Sequence, residues 1–389
     1  VYRYQDIRFH ARVEAGDAVV ATVTVREKLP GNLLVMDCRL EKEDGALVAT
    51  GTAEVSPPQT RLVTDGVVIP ALTLVPRGKF SRLLEACRGL PAMPTAVAAP
   101  TDENSLGGAW EAAKEGLIAP ILVGPEAEIR AAAAKIGWDL AGAVIDPVAS
   151  AHDAPARAVC LVHEGRAEAV MKGNIHSDEV LKHVTKSDGG LRAGRRISHA
   201  FVLDIPGHQG LMIISDAAIN ILPDLMTKAD IVQNAIDLAR AIGIARPKVA
   251  VMSAVETVNP SIPSSIDAAV LSKMADRGQI EGGLVDGPLA MDNAIDCDAA
   301  RTKGITSLVA GRAEVLVVPN LEAGNMLAKN LTFVAQADAA GLVLGAAVPV
   351  MLTSRADDVR ARLASAALAV LFRHWQSTGT SAVPSDGAA

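Results

Sequence analysis

Between residues 94 and 373, short apolar runs alternate with longer stretches of helical periodicity, and no other feature of the sequence constrains the fold as tightly. Runs at 95–100, 120–124, 143–145 and 169–171 read as strands, with helices expected at 101–115, 126–136, 154–163 and 178–185. Strand and helix at this spacing give a parallel sheet covered by helices, because parallel neighbours need a crossover of a dozen or more residues. The composition agrees. Half the residues are apolar, yet only ten are aromatic (five Phe, three Trp, two Tyr), so the core must be Ala, Val, Ile, Leu and Met.

Strands at 198–204 and 210–215, joined at Pro206-Gly207, read as a hairpin that interrupts the alternation and marks a domain boundary. Helix 227–242, strand 248–254, helix 263–277 and strand 281–285 continue the pattern. Strand 314–318, helix 322–335, strand 341–344 and helix 357–373 complete it. The longest apolar stretch, 339–352, contains Pro349 and is too short to span a bilayer. It reads as a short buried strand with its flanks. The segment 376–389, rich in Ser, Gly, Thr and Ala, is expected to be a disordered tail.

Residues 1–57 differ from the rest. Three or four β-branched runs, separated by turns at Gly16-Asp17 and Gly45, make an antiparallel meander that ends at Pro57-Pro58, with a linker at 58–75. Val1 opens directly into strand-like sequence with no secretory leader, so the expectation is a chain cut from a longer parent.

Several functions are disfavoured. The net charge is −7 with no basic run, so neither nucleic acid nor an anionic membrane is an expected partner. Cys38, Cys87, Cys160 and Cys297 include no CxxC pair and read as buried, reduced thiols of a cytoplasmic protein. Neither GxGxxG nor GxxxxGK(S/T) is present, and no His, Cys or carboxylate group has metal-ligand spacing. No metal and no cofactor are expected. An anionic substrate would be held by a few cations and backbone amides.

The segment Pro349-Val350-Met351-Leu352-Thr353-Ser354-Arg355-Ala356-Asp357-Asp358 is the leading site candidate. Ser354 and Arg355 stand at an expected helix start, where free amides and the helix dipole favour an anion and a guanidinium adds a fork suited to phosphate oxygens. Ser354 with Asp357 three residues later is also a helix capping box. Both readings can hold together.

The same segment resembles the signature of the phosphotransacylases, in which a strand runs into Ser-Arg with an Asp downstream. Supporting stretches follow in family order: Met171-Lys172-Gly173-Asn174-Ile175-His176-Ser177, Arg192 to His199, Ser215-Asp216 to Asn220, Asp286-Gly287-Pro288-Leu289 and Pro319-Asn320-Leu321-Glu322-Ala323-Gly324-Asn325. The resemblance, over roughly residues 75–373, implies interconversion of acyl-CoA plus phosphate with acyl phosphate plus CoA, acetyl or butyryl. It implies that Ser354 positions the thiol and reaction centre, that Arg355 contacts phosphate, and that Asp358, or alternatively Asp357, is the base toward CoA. Lys172, Asn174, His176, Arg195, Arg196, Asn320 and Asn325 are the candidate substrate-binding residues, and Ser177 is a candidate helix cap. The implied fold is two α/β/α domains of the isocitrate/isopropylmalate dehydrogenase-like, phosphotransacylase type. Residues 76–197 and 340–375 would form domain I and 198–339 domain II, in a homodimer. Residues 1–57 resemble the C-terminal part of a MaoC-type hot-dog dehydratase, through the runs at Gly16 to Lys28 and Gly45 to Val55. The alternatives are a non-catalytic acyl-CoA-sensing module, and an enoyl-CoA hydratase activity of a longer parent chain.

Overall fold

The computed structural model describes residues 2–13, 17–58, 78–352 and 359–384. They fall into two compact units, within Val1–Leu74 and Val75–Ala389 respectively.

The first unit is a four-stranded antiparallel sheet of β1 (Tyr2–Phe9), β2 (Val19–Leu29), β3 (Leu33–Lys42) and β4 (Leu47–Val55). Its strand order is β1-β4-β3-β2, so the expected meander holds only for β2 to β4. The nine residues between β1 and β2 are too many for a tight hairpin, and β1 instead pairs along β4, from Tyr2↔Val55 to Phe9↔Ala49. The expected linker lies almost wholly outside the described residues, as does Gly16.

The second unit begins with α1 (Lys79–Cys87), then β5 (Met93–Ala98), α2 (Glu103–Lys114), β6 (Ile118–Gly124), α3 (Glu126–Ile136) and β7 (Val144–Pro147). Next come α4 (Ala154–His163), β8 (Ala169–Lys172), α5 (Ser177–Val184), β9 (Ser198–Asp204) and β10 (Met212–Ser215). After them stand α6 (Leu225–Ala241), β11 (Lys248–Met252), α7 (Pro263–Asp276), β12 (Leu284–Leu289), α8 (Met291–Ile295) and α9 (Cys297–Thr302). The chain ends with β13 (Val315–Val317), α10 (Leu321–Phe333), β14 (Asp338–Leu344), β15 (Val350–Met351) and α11 (Val359–Thr378).

All eleven strands form one sheet, in the order β12-β11-β13-β10-β9-β14-β15-β8-β5-β6-β7. Its two flanks are parallel and its centre is antiparallel: β9 pairs with β10 on one side and, over its whole length, with β14 on the other. Because side chains alternate across a strand, each strand feeds two cores. One face carries a single continuous core beneath α1, α2, α3, α6, α7 and α11, including Val97, Met171, Val202, Leu342 and Met351. The opposite face carries two separate cores. One joins β5, β8 and β15 to α4 and α5, and the other joins β10, β11 and β13 to α8 and α9. Between them, β9 and β14 present His199, half-buried Phe201 and Gly341.

Four expectations need correction. The 339–352 run is two strands, because Gly345, with φ of 76°, turns the chain and lets Val350 pair antiparallel with Val343. The strand expected at 281–285 is β12, Leu284–Leu289, so Asp286-Gly287-Pro288 lies within it. A register shift between Ala250 and Met252 of β11 accommodates Pro288, which has no N–H to donate. The helix expected to end at 373 continues to Thr378, into the supposed tail. Beyond it Ser381 Oγ donates to Ala241 O at 2.8 Å and Val383 is buried, so packing rather than composition sets its order. Finally, only Cys87 is buried, with its thiol pushed up to about 12 by desolvation, whereas Cys160 and Cys297 are exposed; all four are free.

Candidate active site

The loop after β8 holds the first group of expected residues. Lys172 ends the strand 3% exposed, and its ammonium donates to the carbonyls of Gly173 (3.4 Å) and Ile175 (3.1 Å). The amides of Gly173 and Asn174 donate to Ala98 O and Ala99 O, both at 2.8 Å, which ties this loop to the carboxyl end of β5. A Cβ at Gly173 would come within 2.5 Å of Ala99 O and 2.6 Å of Ala98 O, so only glycine permits the approach. Asn174 is half-buried and His176 is exposed. His176, not Ser177, is the N-cap of α5. Ser177 already has helical backbone, one position too late for its hydroxyl to reach the first amides. Among the described residues no side chain caps this helix, whereas Asp102, Asp224 and Asn320 cap α2, α6 and α10.

Ser354, Arg355, Asp357 and Asp358 lie outside the described residues. The ends of their segment are fixed all the same. β15 pairs in parallel with β8, Val350↔Val170 and Met351↔Met171, so Leu352 stands beside Lys172 in the register. At the other end, Val359 begins α11. Strands β15, β8 and β5 are sheet neighbours, and their successors α11, α5 and α2 all start at the carboxyl ends of those strands. One further cation went unnoticed in the sequence: Arg362 of α11 is 4% exposed and lodged against α2, where a Cβ on Gly108 would meet its Cδ at 2.4 Å. The signal was there in Gly107-Gly108, two glycines in mid-helix that cost about 1 kcal/mol each unless something needs the room.

The second group surrounds the carboxyl end of β10. Asp216, 2% exposed, accepts five hydrogen bonds. Oδ1 takes the amides of His199 (3.2 Å), Ala218 (3.0 Å) and Ile219 (3.1 Å). Oδ2 takes the amide (2.9 Å) and Nδ2 (2.5 Å) of Asn220. Asn220 Nδ2 also donates to Ile197 O at 2.9 Å, fixing the stretch before β9. Arg192, Arg195 and Arg196 meet Asn220 and Thr185 around a hollow of about 230 Å³. Arg195 pairs with Asp237 at 2.5 Å, and Arg192 Nε donates to Thr185 O at 2.5 Å. This cluster is thus both a solvated face and a cationic hollow.

Asn320 and Asn325 sit beside the second group. Asn320 Oδ1 accepts from Ala323 N at 2.9 Å, and Asn325 Nδ2 donates to Ala217 O at 3.3 Å. His199 opens β9 between the two cores, ring edge toward Phe201 at 4.4 Å between centroids, with Nδ1 buried and without a partner. Burial pushes its pKa down to about 4 against the opposing pull of Asp216, so the imidazole is neutral at pH 7. Among the described residues no group of three or more His, Cys, Asp or Glu could hold a metal, and no described helix is long and apolar enough to cross a membrane.

Loops at strand ends, an uncapped helix start, a buried lysine and an arginine-lined hollow define a mixed α/β protein equipped to hold anions. Residues 147–370 match the family model described as "Phosphate acetyl/butaryl transferase". A phosphate acetyltransferase of Rhizobium meliloti is 62% identical over 294 residues, 76% of this chain and 93% of the relative. A phosphate butyryltransferase of Clostridium acetobutylicum is 42% identical over 292 residues, 75% of this chain and 97% of the relative. In three dimensions, a branched-chain phosphotransacylase from Enterococcus faecalis V583 aligns at TM-score 0.62 and 29% identity, covering 72% of this chain and 98% of its own. The chain belongs to the phosphate acetyl/butyryl transferase family.

Proposed function

We propose that the chain moves a short acyl group between coenzyme A and inorganic phosphate, with its reaction centre in the segment 353–358 beside Lys172. The transferase activity follows from family membership; the site is supported by one observation above the others. The parallel register of β15 with β8 brings Leu352, which leads into the Ser354-Arg355 segment, to the level of Lys172. In this reading Arg355, Lys172 and the open amides of α5 hold phosphate. Asp358, or alternatively Asp357, takes the proton from CoA-SH. The resulting thiolate attacks the acyl carbon of the acyl phosphate, the C–O bond to phosphate breaks, and phosphate leaves with its electron pair. Ser354 positions the thiol. The reverse sequence forms acyl phosphate from acyl-CoA.

Arg195 and Arg196 would receive the phosphates of CoA at the arginine-lined hollow, with His176, Asn174, Asn320 and Asn325 along the cleft. The separation of the two cores on one sheet face supports a cleft between domains 76–197 with 340–375 and 198–339. A homodimer belongs to the same reading, supported by Ile221 and Leu222, 74% and 80% exposed ahead of α6. The antiparallel sheet of residues 2–55 supports a MaoC-like, hot-dog type accessory fragment, and a cytoplasmic setting suits the CoA and phosphate substrates. The test is Arg355→Ala. Acyl phosphate formation should fall at least a hundredfold while CoA still binds, and unchanged turnover would exclude this site.

A further inference from the structure

A second hollow, of about 460 Å³, opens at the amino ends of β10, β11 and β13. The Asp216 and Asn320 loops leave the carboxyl ends of β10 and β13, a strand's length away or about 15 Å. Val359, which follows the segment 353–358, is further still. The 20 residues of α11 separate it from the chain end that lines this hollow, about 30 Å of helix. The hollow therefore belongs to neither group of loops described above.

Its lining combines cationic and apolar side chains. Lys79, Arg82, Arg246 and Lys248 line it, with Glu314 as the one acid among the described residues. Lys248 pairs with Glu314 at 2.9 Å, and Lys79 pairs with Asp204 at 2.5 Å behind the wall, which leaves both carboxylates matched. Arg246 is exposed and makes no hydrogen bond or ion pair among the described residues, so its charge is not offset by an acid. Nor do the amides of Ala245 and Arg246, successive in the loop between α6 and β11, find an acceptor there. Consecutive open amides beside a guanidinium favour an anion. Leu83, Leu211, Ile242 and Val383 share the lining, and the C-terminal segment is held in place by Arg82 Nη2 donating to Pro384 O at 2.5 Å. In a chain of net charge −7, an exposed guanidinium with no acid partner among the described residues, in a concave site with apolar lining, is informative. The volume falls within the range that encloses a small organic ligand, about 300–1,000 Å³.

We propose that this hollow is a second, non-catalytic anion site that takes a small organic phosphate with an apolar portion. The phosphate lies against Arg246 and the Ala245-Arg246 amides, and the apolar part against Ile242 and Val383. The test uses the full chain with hexyl phosphate as probe, titrated by calorimetry, with inorganic phosphate and hexanol as controls. Hexyl phosphate should bind more tightly than either control. Arg246→Glu should weaken a component of that binding by about tenfold or more, the scale of one charge-assisted contact, while KM for phosphate and for acyl-CoA stays at the native value. Equal binding by native protein and Arg246→Glu would overturn the proposal, as would no binding by the native protein. A rise in both KM values together with the lost binding would overturn it too, because the hollow would then not be separate from the active site.

Discussion

Asp216 offers the sharpest test of how the second group of loops is held. Its carboxylate is 2% exposed and is the common acceptor for five N–H groups, four of them backbone amides. Asp216→Ala strands those donors. Hydrogen bonds to a charged acceptor are each worth about 1.5–3 kcal/mol, and five would sum to about as much as the whole stability of a domain. Water entering the emptied space returns much of that sum, so the expected loss is about 3–5 kcal/mol, the range for breaking a buried network. Asp216→Asn keeps the shape but turns one oxygen into a donor facing donors, for about 2 kcal/mol. Urea unfolding followed by fluorescence of Trp110, Trp138 and Trp375 reads both, since all three lie in the second unit. In Asp216→Asn, whichever oxygen is replaced, either Ile219 or Asn220 loses its anchor beside the arginine-lined hollow, so KM for CoA should rise about tenfold with kcat little changed. An Asp216→Ala protein within 1 kcal/mol of native stability would refute the reasoning.

Gly173→Ala should remove at least 99% of turnover, because its Cβ would meet backbone oxygens of Ala98 and Ala99 at 2.5–2.6 Å and push the Lys172 loop off β5; steady-state kinetics would detect a tolerated substitution at once. His199 makes stability pH-dependent: with its folded pKa lowered to about 4 from an ordinary 6.5, the unfolded chain binds more protons in between. Stability is therefore complete above pH 6.5 and falls by about 3 kcal/mol toward pH 4, and His199→Gln should flatten that slope in urea midpoints measured across the window. Asp204 acts at lower pH. Burial raises its pKa, but the ammonium and amide of Lys79 and the amide of Gly78 outweigh burial and hold it below the usual carboxylate range. Its contribution is present above that range and lost as pH falls through the lowered value, a loss that Asp204→Asn should abolish.

The sequence made the flanks of the sheet legible because each strand there is a run of Ala, Val and Ile bounded by Gly, Pro or a capping residue. The helix at 126–136 matches α3 residue for residue. β15 escaped notice because two residues carry no period, and its partner β8 is distant in sequence. The order β1-β4-β3-β2 was equally unreadable, since local patterning fixes which residues form strands and not which strands meet. The end of α11 was missed because Gln376-Ser377-Thr378 looks like tail, while contacts beyond the helix decide its fate. Site residues divide along the same line. The place of Asn320 between a strand and a helix followed from Pro and Asn punctuation, whereas Lys172, expected just past its strand, is the strand's last residue. The burial of Lys172 and Arg362, and the gathering of backbone amides by Asp216, depend on elements brought together from afar.

The central claim is acyl transfer to phosphate, and product formation tests it most directly. Purified full-length chain is incubated with phosphate and, separately, with acetyl-, propionyl- and butyryl-CoA, while acyl phosphate is trapped as hydroxamate and free thiol is counted. The account predicts acyl phosphate and CoA in equal amounts for at least one of the three, with both signals lost in Arg355→Ala. Tight acyl-CoA binding with no acyl phosphate from any of them would contradict it and leave a sensing module in its place.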